Sequence, residues 1–147
     1  MAAFVSFRGT PAGAGWTGER FVVDRNSGIA IGGFDPIGYF LERRAVPGLP
    51  ELQADWAGVT WLFANDGNRA AFRRDPATYA PRFGGYCVEA ISRGLAAEGD
   101  PRLFRVHHNR LYFARDAATL ALFDTTPDKI AAAAAERWPQ LAATLAG

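Results

Sequence analysis

Two stretches of this chain each carry two short runs of alternating apolar residues on either side of a tight-turn signal. In the first, "ELQADWAGVTWLFAN" over residues 51–65, Leu52, Ala54 and Trp56 alternate with polar neighbours, and Val59, Trp61 and Phe63 alternate again after Ala57-Gly58. Successive strand residues point to opposite faces, so two such runs about a two-residue turn predict a β-hairpin with one apolar face. In the second, "RLFRVHHNRLYFAR" over 102–115, Leu103, Arg105 and His107 lie on one strand, Leu111 and Phe113 on the other, with His108-Asn109 at the turn. Two hairpins this far apart exclude an all-helical bundle and limit what the rest can be.

Between and after them the signals are helical. Asp35-Pro36 reads as a helix entry, with Asp35 as the cap and Pro36 at the first position. Asn65 or Asp66 caps a helix with Ala70, Ala71 and Phe72 facing inward, ending before Asp75-Pro76; "DPATYAP" is a further helical turn. Tyr86 to Arg93 predicts a two-turn helix closed by Gly94. From Asp116 a helical pattern runs to Trp138-Pro139, with Thr126 capping its second part and Pro139 expected to end it. The reading is a single α+β domain over 28–141, preceded by a leader over 1–27 with one or two short strands and followed by a tail over 142–147. Its core is expected to draw on Phe40, Trp56, Trp61, Phe63, Phe72, Tyr79, Leu103, Leu111, Phe113 and Trp138.

Composition narrows the function. With 49% hydrophobic residues in 147, the chain has the make-up of a globular domain. Sixteen basic against fifteen acidic residues leave a net charge of +1, which argues against nucleic acid as a partner. A single cysteine excludes an internal disulfide and every multi-cysteine zinc pattern. No stretch approaches the roughly 18 apolar residues of a membrane span, so no membrane insertion is expected. "MAAFVSFRGTPAGAGWTGER" lacks the charged and apolar regions of a signal peptide, so a cytoplasmic location is expected from the sequence as given.

The residues that could carry chemistry are few. Cys87 follows Gly84-Gly85, which can reach positive φ or bring backbone close to a ligand. In the first turn of the following helix, its thiol would sit at the positive end of the helix dipole and favour the thiolate, a soft ligand for a copper or zinc ion. The opposing reading is a small apolar residue filling the core. Asp35 is a carboxylate ligand or a helix cap. Tyr39 and Tyr86 could line a ligand pocket with Gly84 and Gly85, or pack in the core. His107 and His108 are adjacent, which in a regular strand would point them to opposite faces; a turn loosens that restriction. No catalytic constellation stands out, so no enzymatic activity is expected.

The stretches "GGFDPIGYF", "AVPGLPELQADWAGVTWLFANDGNRAAFRRDPATYAPRFGGYC" and "GDPRLFRVHHNRLYF", closed by "ERWPQL", together resemble the stand-alone YHS-domain proteins in order and spacing, from about Gly28 to Leu141. The resemblance implies a compact α+β unit with a treble-clef-like core, a hairpin followed by helices. It places the chain beside cysteine-containing modules associated with copper or other heavy metals, in which one thiol follows "DPV" and another follows the aromatic that ends the hairpin. Here those positions are Gly38 and Ala64, so the implied two-cysteine site lacks both thiolates and Cys87 alone remains. Such relatives often carry an Asp-Gly-type turn where His107 and His108 stand, and many carry an export signal, which implies the periplasm. The expectation is a non-enzymatic binding module that takes a thiophilic metal ion or small ligand near Cys87, with Asp35, Tyr39 and Tyr86 nearby. The alternative is a structural or interaction domain with no ligand and Cys87 in its core.

Overall fold

A computed structural model describes residues 21–146, with side chains to residue 145. The leader expected over 1–27 therefore falls mostly outside the described residues. The element order is α1 (Gly38–Leu41), β1 (Leu49–Trp56), β2 (Val59–Phe63), α2 (Asp66–Arg74), α3 (Pro76–Tyr79), α4 (Val88–Ser92), β3 (Asp100–His107), β4 (Arg110–Ala114), α5 (Ala117–Thr125) and α6 (Pro127–Ala146), with short 3-10 turns at Ile31–Gly33 and Arg82–Gly85. The strands form two separate antiparallel pairs, β1-β2 and β3-β4. The α+β reading holds.

Both hairpins turn through two residues with positive φ: Ala57 (56°) and Gly58 (78°) in the first, His108 (50°) and Asn109 (58°) in the second. This left-handed pair matches the right-handed twist of the strands it joins. In the first hairpin Trp56 pairs with Val59 and Ala54 with Trp61. The alternation therefore puts Trp61 and Phe63 into the core, both fully buried. Asn65 starts α2 by accepting the Asn68 N–H at 2.8 Å, and Phe72 faces inward. Ala70, expected to face inward, is exposed; the inward stripe runs through Asn68, Ala71 and Phe72.

The second hairpin departs from its expected faces. The two-residue turn pairs His107 with Arg110, so Val106 faces Leu111 and Phe104 faces Phe113; the register shifts only beyond Phe104, toward Asp100. Phe104 and Val106 thus join the core, whereas Leu103 packs in a different cluster and Arg105 is exposed. All four residues from Leu111 to Ala114 are buried. Such a run marks a strand covered on both faces rather than one. Leu111 and Phe113 meet Tyr39, Trp61, Phe63 and Phe72 on one side. Tyr112 meets Phe83, Phe123 and Trp138 on the other.

Helix α6 does not stop at Pro139 but continues to Ala146. Proline costs an interior hydrogen bond, yet Trp138 and Ala142 are buried on the same cluster, with Leu141 and Leu145 packed against it. Burial of that stripe outweighs the local break, and Ala142 and Leu145 join the cluster. Helix α4 is shorter than expected, ending at Ser92, and is closed by Gly94, whose φ of +85° accompanies its N–H reaching the Ile91 carbonyl at 2.9 Å while Leu95 N–H reaches that of Ala90 at 2.9 Å. Among the described residues, no helix is long and apolar enough to cross a membrane.

Candidate functional site

Cys87 lies one residue before α4, at the cap position, with extended backbone (φ −61°, ψ 117°) rather than in the first helical turn. Its N–H donates to the Ala97 carbonyl at 2.7 Å, and it bridges to Phe113 of β4. The side chain is fully buried with Ala90 and Ala114, closed in by Ala97, Leu103 and Leu120. That shell is apolar and small, a site a thiol fills by volume. A helix of five residues also supplies little dipole.

Gly84 and Gly85 do reach positive φ, 65° and 87°. What they approach is protein. Gly84 O accepts from Val22 N–H at 2.8 Å and Gly85 O from Gly99 N–H at 3.1 Å. A Cβ on Gly99 would stand 2.6 Å from both Gly85 O and Phe113 Cβ, so this pair of glycines lets two backbones close over β4.

Tyr39 and Tyr86 belong to different clusters and do not share a pocket. Tyr39 is fully buried, its ring against Phe104 and Phe113, and its hydroxyl donates to the Pro101 carbonyl at 2.8 Å. Burial pushes its ionisation far above the ordinary tyrosine range. Tyr86 packs against Trp138.

Asp35 is fully buried. One carboxyl oxygen accepts from Ile37 N–H at 2.8 Å in the turn leading into α1, although the cap residue of α1 is Ile37 and not the Asp35 expected. The other accepts from Ala64 N–H and from the Asn68 side-chain amide, each at 2.8 Å. This one side chain therefore ties the start of α1 to the end of β2 and to α2. Asn68 escaped sequence reasoning; its only local signal is its place three residues after the capping Asn65.

The histidines do come together. His107 and His108 have ring centroids 4.1 Å apart. The left-handed backbone at His108 swings its side chain to the side of its neighbour, which a regular strand would forbid. Both Nε2 atoms converge on one oxygen of Asp128 in the first turn of α6, at 2.7 Å from His107 and 3.2 Å from His108. The hydrogen bond from His107 is the main cause that holds the Asp128 carboxyl below its ordinary range. Among the described residues this is the one cluster of three or more His, Cys, Asp or Glu donors with ligand atoms within 4.8 Å of one another. Cys87 and Asp35 are not in it. Asp128 was missed because it follows the histidines by some twenty residues on another element, with only its place at a helix start to mark it.

A shallow cleft of about 430 Å³ runs over Phe104, Val106 and Leu120, rimmed by Arg43, Arg102 and Arg105. Arg105 is already held by Asp124 through two bonds of 2.9 and 2.8 Å, and Arg102 lies over the Phe34 ring. Comparison with protein-family models, with curated proteins and with solved structures found no match to this chain.

Proposed function

We propose that this chain is a small non-enzymatic binding module of the YHS type, in which Cys87 serves as a core residue and is not a metal ligand. The observation that carries this reading is the fully buried alanine-lined shell around Cys87, which is outside the one donor cluster among the described residues. A metal there would need at least one more donor and a path through packed side chains. The element order, a hairpin followed by short helices, is what the resemblance implies.

The positions where such relatives carry two thiolates support the same view. A side chain on Gly38 would meet Val46 at 2.8 Å, so cysteine has no room there. Ala64 carries no side-chain donor, and its backbone N–H meets Asp35. The Asp35–Asn68 knot thus crosslinks elements without an ion. With near-balanced charge, the partners proposed are a metal ion or small molecule bound elsewhere on the surface, not nucleic acid. A buried lone thiol operates equally in a reducing cytoplasm or an oxidising periplasm.

Titration of the purified chain with Cu(I), Ag(I) and Zn(II), beside Cys87→Ser, tests this. The two proteins are expected to take up the same amount of each ion. Stoichiometric uptake present in the native chain and lost in Cys87→Ser would overturn the proposal.

A further inference from the structure

The second hairpin tip carries a donor set that the module reading leaves unused. We propose that His107, His108 and Asp128 form a binding site for a borderline divalent transition ion, of the Cu(II), Ni(II) or Zn(II) class. The inference stands on the geometry of these residues and does not depend on the YHS reading.

Two imidazoles and one carboxylate suit that class, because imidazole nitrogen is a preferred ligand of copper, nickel and zinc. Calcium and magnesium instead want several oxygen donors, and this site offers one carboxylate. Zinc bonds of about 2.0–2.1 Å in tetrahedral geometry put neighbouring ligand atoms roughly 3.3 Å apart. The 3.2 Å separation of His108 Nε2 from Asp128 already has that span, and the 2.7 Å separation at His107 needs only a small opening. His108 and Asp128 are largely exposed, with 74% and 77% of their side chains accessible, so an ion can enter and keep open positions for water. His107 is more enclosed, at 27%, and its ring stands edge-on to the buried Phe123, which fixes one ligand in advance.

Coordination requires both Nε2 atoms unprotonated. In the metal-free protein both Nε2 atoms face one Asp128 oxygen, so an ion competes with that contact for them. An ion would replace that shared contact by three bonds. It would also join the tip of β3-β4 to the first turn of α6, so binding should raise thermal stability, as any ligand specific to the folded state does.

Isothermal titration of the full, untagged chain with CuCl2, NiCl2, ZnCl2 and MgCl2, paired with melting curves, tests the site. One equivalent of Cu(II), Ni(II) or Zn(II) per chain is expected, with a raised Tm and no response to Mg(II). Losing one of three ligands should weaken binding at least ~10-fold in His108→Gln and in Asp128→Asn. Both positions are exposed, and circular dichroism of the metal-free variants checks that they remain folded. Cys87→Ser should bind as the native chain does. No stoichiometric uptake, or uptake unchanged in both His108→Gln and Asp128→Asn, would overturn the site. Uptake lost in Cys87→Ser would assign the ion to the thiol and overturn both this inference and the proposed function.

Discussion

The two hairpins share a turn geometry and differ in what covers them. The outer face of β1-β2 buries Leu62 at one end, but toward the turn it carries exposed Gln53 and Asp55 with Thr60, and its Asp55–Thr60 pair closes on itself through a 2.9 Å hydrogen bond at the surface. The corresponding face of β3-β4 carries Arg105, Tyr112 and His107, and each is engaged by a helix: Arg105 by Asp124 of α5, Tyr112 by Phe123, His107 by Asp128 of α6. One hairpin ends in a bare Ala-Gly turn, whereas the other ends in a histidine set against a helix start. The difference teaches that a tight turn is only a scaffold; an element packed beside it makes it a candidate site.

The contrast can be broken most severely from inside. Trp61→Ala on the first hairpin and Tyr112→Ala on the second should each cost on the order of 3–5 kcal/mol in denaturant unfolding, as large-to-small core changes. Thr60→Ala, on the outer face of the first hairpin, should stay within about 1 kcal/mol. A comparable loss at Thr60, or a negligible one at Tyr112, would show that the two outer faces do not differ as described.

Next comes the Asp35 knot. Asp35→Ala strands the Asn68 amide and two backbone N–H groups, at a cost of roughly 2–5 kcal/mol for buried donors left without acceptors. Asp35→Ala with Asn68→Leu should recover part of it, which a double-mutant cycle would measure. Simple additivity would contradict a shared network.

A smaller effect lies at α5, where Asp116 and Thr119 form a capping box. The Thr119 backbone N–H, then its hydroxyl, hold the Asp116 carboxyl below its ordinary range. A folded-state pKa below the unfolded one gives stability that is present above the unfolded value and lost as pH falls through the folded one. Asp116→Ala should therefore lower Tm at neutral pH, and its gap to the native chain should narrow in acid. A constant gap would mean the charge plays no part.

The smallest change separates the tips. Ala57→Gly and His108→Gly both relieve a left-handed non-glycine residue and should shift stability by at most about 1 kcal/mol. Only the second should weaken metal binding, by at least ~10-fold.

Much of this architecture is legible in the chain. Trp61 and Phe63 alternate about a two-residue turn, and Asn65 caps α2, because those rules are local. The departures are tertiary. Alternation puts Leu103 and Arg105 on one face, but the register from the turn sets them beside Ala114 and Tyr112, while Phe104 and Val106 meet Phe113 and Leu111 in the main core. Pro139 reads as a helix end, yet Trp138 and Ala142 carry α6 onward by burial. At the sites, the histidine pair is visible in the sequence but Asp128 and Asn68 are not, since nothing local says which helix start or which asparagine will meet a distant hairpin or a buried carboxylate. Cys87 draws attention for its glycines, which serve the close approach of Gly85 to Gly99 instead.

The central claim is that β4 is covered on both faces, with Cys87 buried against it and the accessible chemistry at the hairpin tip. Alkylation of Cys87 by iodoacetamide under native conditions, followed across a denaturant series, tests it most directly. Labelling should be negligible in the folded protein and should track global unfolding measured by tryptophan fluorescence. Rapid labelling well below the unfolding transition would place the thiol at the surface and contradict the account.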